Sequence, residues 1–106
     1  MIGLLMMLAA DVTSAGLVTG DQLLDWCQSR SIQCESYAQG VVDTWMGEQA
    51  FGRVPNMICV TPGMTSGQIS DAVQNYLTAH PERRSTKASS LVVIALAGAF
   101  PCPKAG

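Results

Sequence analysis

Apolar and polar positions along the chain fall into four helical segments. The first spans about Thr19 to Gln28. Thr19 stands three residues before Gln22, the spacing of a capping box, and Val18 and Leu23 flank the cap as a hydrophobic staple. The same four-part signal recurs later, with Thr65 and Gln68 as the box and Met64 and Ile69 as the staple. That second copy opens a helix whose face carries Ile69, Ala72, Val73, Tyr76 and Leu77. Pro81 disfavours helix at His80 and ends it there. Between these two lies a segment from about Gln33 to Gly47, with Ser31 as its cap. Cys34, Ala38, Val41 and Trp45 repeat at three or four residues, and Val42 and Met46 widen the stripe. Gly47 is the expected stop.

The last segment runs from about Thr86 to Phe100. Ala88, Leu91, Val92, Ala95, Leu96 and Ala99 form its stripe, and Val93 and Ile94 make it apolar nearly all round, as in a central or interface helix. The stretch GEQAFGRVPNMICVTPG reads as a loop with a short extended piece over Met57–Val60. Strand signals are few, so the expected fold is all-α, a small four-helix domain built from helical hairpins.

Ahead of the first helix, Ile2–Ala10 is an uninterrupted apolar run followed by Thr13-Ser14-Ala15. It is far short of the roughly 20 residues that span a bilayer, and it fits the hydrophobic region of an export signal with small residues at the cleavage point. Residues 1–15 are therefore expected to be an export segment, and residues 16–106 the single folded domain. No basic residue precedes Arg30, so the basic flank of such a signal is missing.

Composition narrows the function. Only 13% of the 106 residues are charged and the net charge is −2, so no basic patch calls for nucleic acid. The short cluster Arg83, Arg84 and Lys87 reads as a solvated helix start. Four cysteines at gaps of 7, 25 and 43 residues with a single histidine do not match zinc-site spacing, and no cofactor fingerprint is present. A nucleophilic Cys59 needs a base, and only His80 is available, at a helix C-terminus where the dipole explains it. Asp21, Asp25, Glu35, Asp43, Glu48 and Asp71 form no recognisable dyad. These residues point to a binding protein rather than an enzyme. The apolar perimeter of the fourth helix, with Trp26 and Trp45, points to a homodimer interface. Glu48, Gln49, Phe51, Arg53 and Asn56, on a loop bounded by Gly and Pro, are the candidate partner-binding residues.

Four segments in order carry a family resemblance. VTGDQLLDWC presents Gly20, Leu23, Leu24 and Cys27, and CESYAQGVVD presents Cys34, Tyr37, Gly40, Val41 and Asp43. CVTPGMTSGQISDAVQNYLTAHPERR and ASSLVVIALAGAFPCP follow, the last ending at Cys102 and its Pro. Together, over about residues 17–103, they resemble the Rap/Tai family of type VI secretion amidase-immunity proteins. The resemblance implies a small helical periplasmic protein, often dimeric, that blocks a peptidoglycan amidase effector by occupying its active-site groove. The loop Gly47–Met57 is variable in that family. A periplasmic stress chaperone or a structural subunit without a toxin partner is the alternative reading.

An exported chain with an even cysteine count is expected to carry two disulfides. The short connector HPERRST makes the last two helices antiparallel. Cys59, before the third helix, is thereby brought near Cys102, after the fourth. Cys27 and Cys34 flank the turn between the first two helices. The preferred pairing is Cys27–Cys34 with Cys59–Cys102, while the long loop after the second helix also lets Cys59 reach Cys34.

Overall fold

A computed structural model describes residues 17–104, and the expected export segment lies outside them. Among the described residues four helices form: α1 over Gly20–Gln28, α2 over Ile32–Ala50, α3 over Ser66–Ala79 and α4 over Ala88–Ala99. A 3₁₀ turn, Pro81–Arg83, links α3 to α4. No strand occurs among the described residues, only isolated bridges between Thr19 and Lys87 and between Ile58 and Pro101. All six pairs of helices pack on one another. Their shared core is closed by the fully buried Leu23, Ile58, Val73, Leu77, Val92 and Leu96, each contributing about 1.5–3 kcal/mol relative to exposure.

Both capping boxes form. Gln22 N–H donates to Thr19 Oγ1 at 3.2 Å and Thr19 N–H to Gln22 Oε1 at 3.0 Å. The Thr65–Gln68 box repeats this at 3.1 and 2.8 Å. Each side-chain cap is worth about 1 kcal/mol. Helix α4 has no side-chain cap. Instead its first amide, Ala88 N–H, donates to Val18 C=O at 2.8 Å, and in return Gly20 and Asp21 N–H donate to Thr86 and Arg84 C=O at 3.0 and 2.8 Å. The starts of α1 and α4 thus satisfy each other's unpaired amides. This approach is close enough that a Cβ on Gly20 would lie 2.6 Å from Leu91 Cδ1 and 3.0 Å from the Arg84 Cα and C=O oxygen.

The disulfides are Cys27–Cys34 and Cys59–Cys102. The first closes the turn between α1 and α2. The second ties the chain just before α3 to the chain just after α4, as the hairpin argument requires, alongside a Cys59 N–H to Phe100 C=O bond of 2.9 Å.

One boundary differs from expectation. Helix α2 runs through Gly47 to Ala50. The glycine that ends it is Gly52, at φ +71°. Gly52 N–H donates to Gln49 C=O at 3.0 Å and Arg53 N–H to Glu48 C=O at 2.9 Å, the paired bonds of a Schellman motif. Both glycines satisfy the sequence rule for a stop. Only Gly52 is followed by a residue, Arg53, whose guanidinium pairs with Glu48 three residues from the helix end, at 3.1 Å. Helix α1 ends the same way, with Ser31 N–H on Trp26 C=O at 2.9 Å, but there the left-handed residue is Arg30 at φ +56°.

Candidate partner-binding site

Extension of α2 places two of the five candidate residues, Glu48 and Gln49, in the last helical turn rather than in the loop. The Schellman turn then swings Phe51 and Arg53 to one side. Arg53 is paired with Glu48, and its guanidinium carbon lies 4.9 Å from the Phe51 ring centroid, within cation–π range. Phe51 is 73% exposed. Glu48, Phe51 and Arg53 therefore make one cluster on the surface.

Gln49 has a different task. Its side-chain carbonyl accepts from Met57 and Ile58 N–H, both at 3.0 Å, and its amide donates to Ile58 C=O at 2.9 Å. The side chain is consumed in holding the far end of the loop to α2. Asn56 is exposed on that loop, next to Met57.

A second feature lies between α2 and α4. Tyr37, Val41 and Trp45 of one helix face Val93 and Ile94 of the other across a groove of about 780 Å³. Gly40 also lines it, and Ser36, Thr44, Ser89 and Ser90 supply hydroxyls, so no charged side chain lines it. Val93 and Ile94 are the residues that made the fourth helix too apolar for one core, and the structure shows where the surplus goes. The indole Nε1 of Trp45 is buried without a hydrogen-bond partner. Burial pushes the Tyr37 phenol above its ordinary value, and the Ser89 hydroxyl bonded to it opposes part of that rise. Trp26 packs against Tyr37 with ring centroids 6.2 Å apart.

Groups with chemical potential are otherwise engaged. All four cysteines are in disulfides, which removes the thiol that Cys59 would need for nucleophilic attack. His80 stacks on Tyr76 at 4.2 Å and its Nδ1 lies 3.0 Å from Tyr76 C=O. Arg83 donates to the Tyr76 hydroxyl at 2.8 Å, and Arg84 reaches Leu77 C=O at 3.3 Å and Asp21 at 3.4 Å. Two of the three residues of the basic cluster, Arg83 and Arg84, are thus engaged within the fold. No helix among the described residues is long and apolar enough to cross a membrane.

A family model described as Rap1a immunity proteins matches residues 19–102. The matched stretch starts at the cap of α1 and stops at the second half of the Cys59–Cys102 bridge. Neither a curated relative nor a solved structure matches the chain.

Proposed function

This chain belongs to the Rap1a immunity proteins, and from that membership we propose that it binds and inhibits a type VI secreted peptidoglycan amidase effector in the periplasm. Membership of an immunity family makes a protein effector its partner. The observation that carries the reading is the family match over the whole disulfide-stapled bundle. Inhibition is by occlusion, with no reaction on this chain. Two disulfides suit an oxidising compartment, since cytosolic thiols are kept reduced, and this supports export.

Two surfaces divide the work. The cluster Glu48, Phe51 and Arg53, with Asn56 exposed farther along the same loop and Gln49 holding that loop to α2, meets the effector. The uncharged α2–α4 groove takes a second copy, giving a homodimer. Because it presents no charge, two copies of a chain with net charge −2 approach there without burying an unpaired ion. Introducing a carboxylate at its centre with Val93→Glu is expected to leave a folded monomer in light scattering. A wild-type monomer at tens of micromolar, on the order of weak interface affinities, removes the homodimer from the account.

The functional experiment directs amidase effectors encoded near this chain's gene to the periplasm, with and without the chain. Protection from lysis by this chain, and not by an unrelated exported helical protein, is expected. Lysis at the same rate with and without it refutes the reading.

A further inference from the structure

We propose that the chain carries a second binding site, a polar pocket between the α1–α2 turn and the start of α3 that takes a short cationic peptide with a free carboxylate. The pocket has a volume of about 480 Å³, the size of a small-ligand site. Gln28 and Arg30 line it from the end of α1 and the turn, Glu35 from α2, and Asp71 and Gln74 from α3, beside the Cys27–Cys34 bridge. Glu35 lies about 20 Å along α2 from Glu48 at 1.5 Å per residue, so the pocket is separate from the partner-binding cluster.

Arg30 is the residue that points to a ligand. Its backbone is left-handed, at φ +56°, in a turn that ordinarily takes glycine there, so an arginine costs stability. The fold does not recover that cost. Arg53, Arg83 and Arg84 each have a side-chain partner, whereas the exposed Arg30 guanidinium has no hydrogen bond or ion pair among the described residues, although two carboxylates line the same pocket. The walls are fixed in advance. The Cys27–Cys34 bridge and the 2.9 Å bond from Ser31 N–H to Trp26 C=O set the turn. Ser66 Oγ donates to Glu35 Oε1 at 3.3 Å and ties the start of α3 to α2. Ordering already present in the free protein does not have to be supplied on association.

Charge and hydrogen-bonding capacity define the occupant. A guanidinium takes a carboxylate through two parallel N–H bonds. Glu35 and Asp71 are acceptors only and suit ammonium groups. The amides of Gln28 and Gln74 both donate and accept, as does each peptide unit. An anion alone, such as phosphate, would be repelled by the two carboxylates, and a metal cation alone by Arg30. With one positive and two negative side chains in the lining, the complementary ligand carries one carboxylate and two ammonium groups. A short peptide with free ends and one basic side chain has that set.

The test titrates the oxidised full chain with the dipeptide lysylalanine and follows backbone amide shifts by NMR. Saturable shifts are expected at Gln28, Arg30, Asp71 and Gln74, with none at Phe51 or Arg53. Lysylalanine amide, which lacks the carboxylate, is expected to bind about tenfold more weakly, the loss of one hydrogen bond between charged groups. Arg30→Gly, which relieves the left-handed backbone, is expected to weaken lysylalanine by the same factor while remaining folded. Arg30→Gln, which keeps the backbone restriction, does the same, and Asp71→Asn weakens the peptide from the ammonium side. No saturable shift at the pocket overturns the site. Equal binding of the acid and the amide, or undiminished binding by both Arg30 variants, also overturns it, because Arg30 then reads no carboxylate. Matching shifts produced by inorganic phosphate or by magnesium alone would overturn the peptide as occupant and leave only an adventitious charged surface.

Discussion

Gly20 and Gly47 are both helical glycines, and replacing each with alanine is expected to move stability in opposite directions. At Gly20 the new Cβ would meet Leu91 Cδ1 at 2.6 Å and the Arg84 backbone at 3.0 Å. Leu91 is itself 3% exposed and has little room to withdraw. Overpacking of this kind costs about 1–3 kcal/mol. Relief by moving α1 outward lengthens the Gly20–Thr86 and Asp21–Arg84 backbone bonds, each worth about 1 kcal/mol net. Helix propensity returns up to about 1 kcal/mol in a helix interior, but Gly20 is the first helical residue, where little of that gain is realised. The sum is a loss of about 2 kcal/mol. At Gly47 a Cβ meets nothing within 4 Å, so the propensity gain of about 0.8–1 kcal/mol stands alone. In urea titrations followed by circular dichroism, with a slope of about 1.5 kcal/mol/M, the Gly20→Ala midpoint falls by roughly 1 M or more. The Gly47→Ala midpoint rises by about 0.5 M at the same slope. An unchanged or raised midpoint for Gly20→Ala would refute the close docking of α1 on the start of α4.

Three further outcomes follow from other parts of the molecule. Reduction of both disulfides removes roughly 6 kcal/mol of chain-entropy stabilisation, about 4 from the 43-residue separation and about 2 from the 7-residue one. That is comparable to the whole stability of a small domain, so reduced protein is expected to lose most of its helical signal at physiological temperature; retention of the oxidised melting curve contradicts this. Arg30→Gly relieves a left-handed backbone at φ +56° and is expected to stabilise by about 1 kcal/mol, or roughly 5 °C in melting temperature; a lower melting temperature would show that the side chain outweighs the strain. Tyr37 favours its neutral form in the fold, with a pKa raised above 10.0 mainly by burial. Its contribution to stability is therefore complete below pH ~10 and lost as pH rises through the folded value; the late-titrating phenolate absorbance is expected to vanish in Tyr37→Phe, and its persistence assigns it elsewhere.

Helix starts were readable in the sequence because a cap is a local device. Thr19 with Gln22 and Thr65 with Gln68 carry their whole mechanism within four residues. One connector length and one hairpin made Cys27–Cys34 with Cys59–Cys102 the preferred pairing, while the long loop after α2 left Cys34–Cys59 open, and the structure has the preferred one. The end of α2 did not follow, because Gly47 and Gly52 are equivalent as helix stops and the choice rests on the Glu48–Arg53 pair and on the Gln49 bonds to Ile58, nine residues away. Arg30 gave no warning of its left-handed backbone, since a Schellman turn usually takes glycine. The surplus of apolar residues on α4 was visible as Val93 and Ile94. That they face Tyr37, Val41 and Trp45 of α2 depends on helix orientation, which periodicity within one segment does not contain. The cluster of Glu48, Phe51 and Arg53 was assembled from residues that the sequence had placed together, while Gln49 turned inward to a structural task.

The central claim is that the oxidised bundle blocks an effector by binding it, and titration of enzyme activity tests this most directly. Purified oxidised chain is added in steps to the amidase against which it protects in the periplasmic experiment, with release of peptide from peptidoglycan as the readout. The expected result is a loss of activity linear in added chain, complete near equimolar ratio, that the reduced chain does not reproduce. Full amidase activity in the presence of excess oxidised chain would contradict the account.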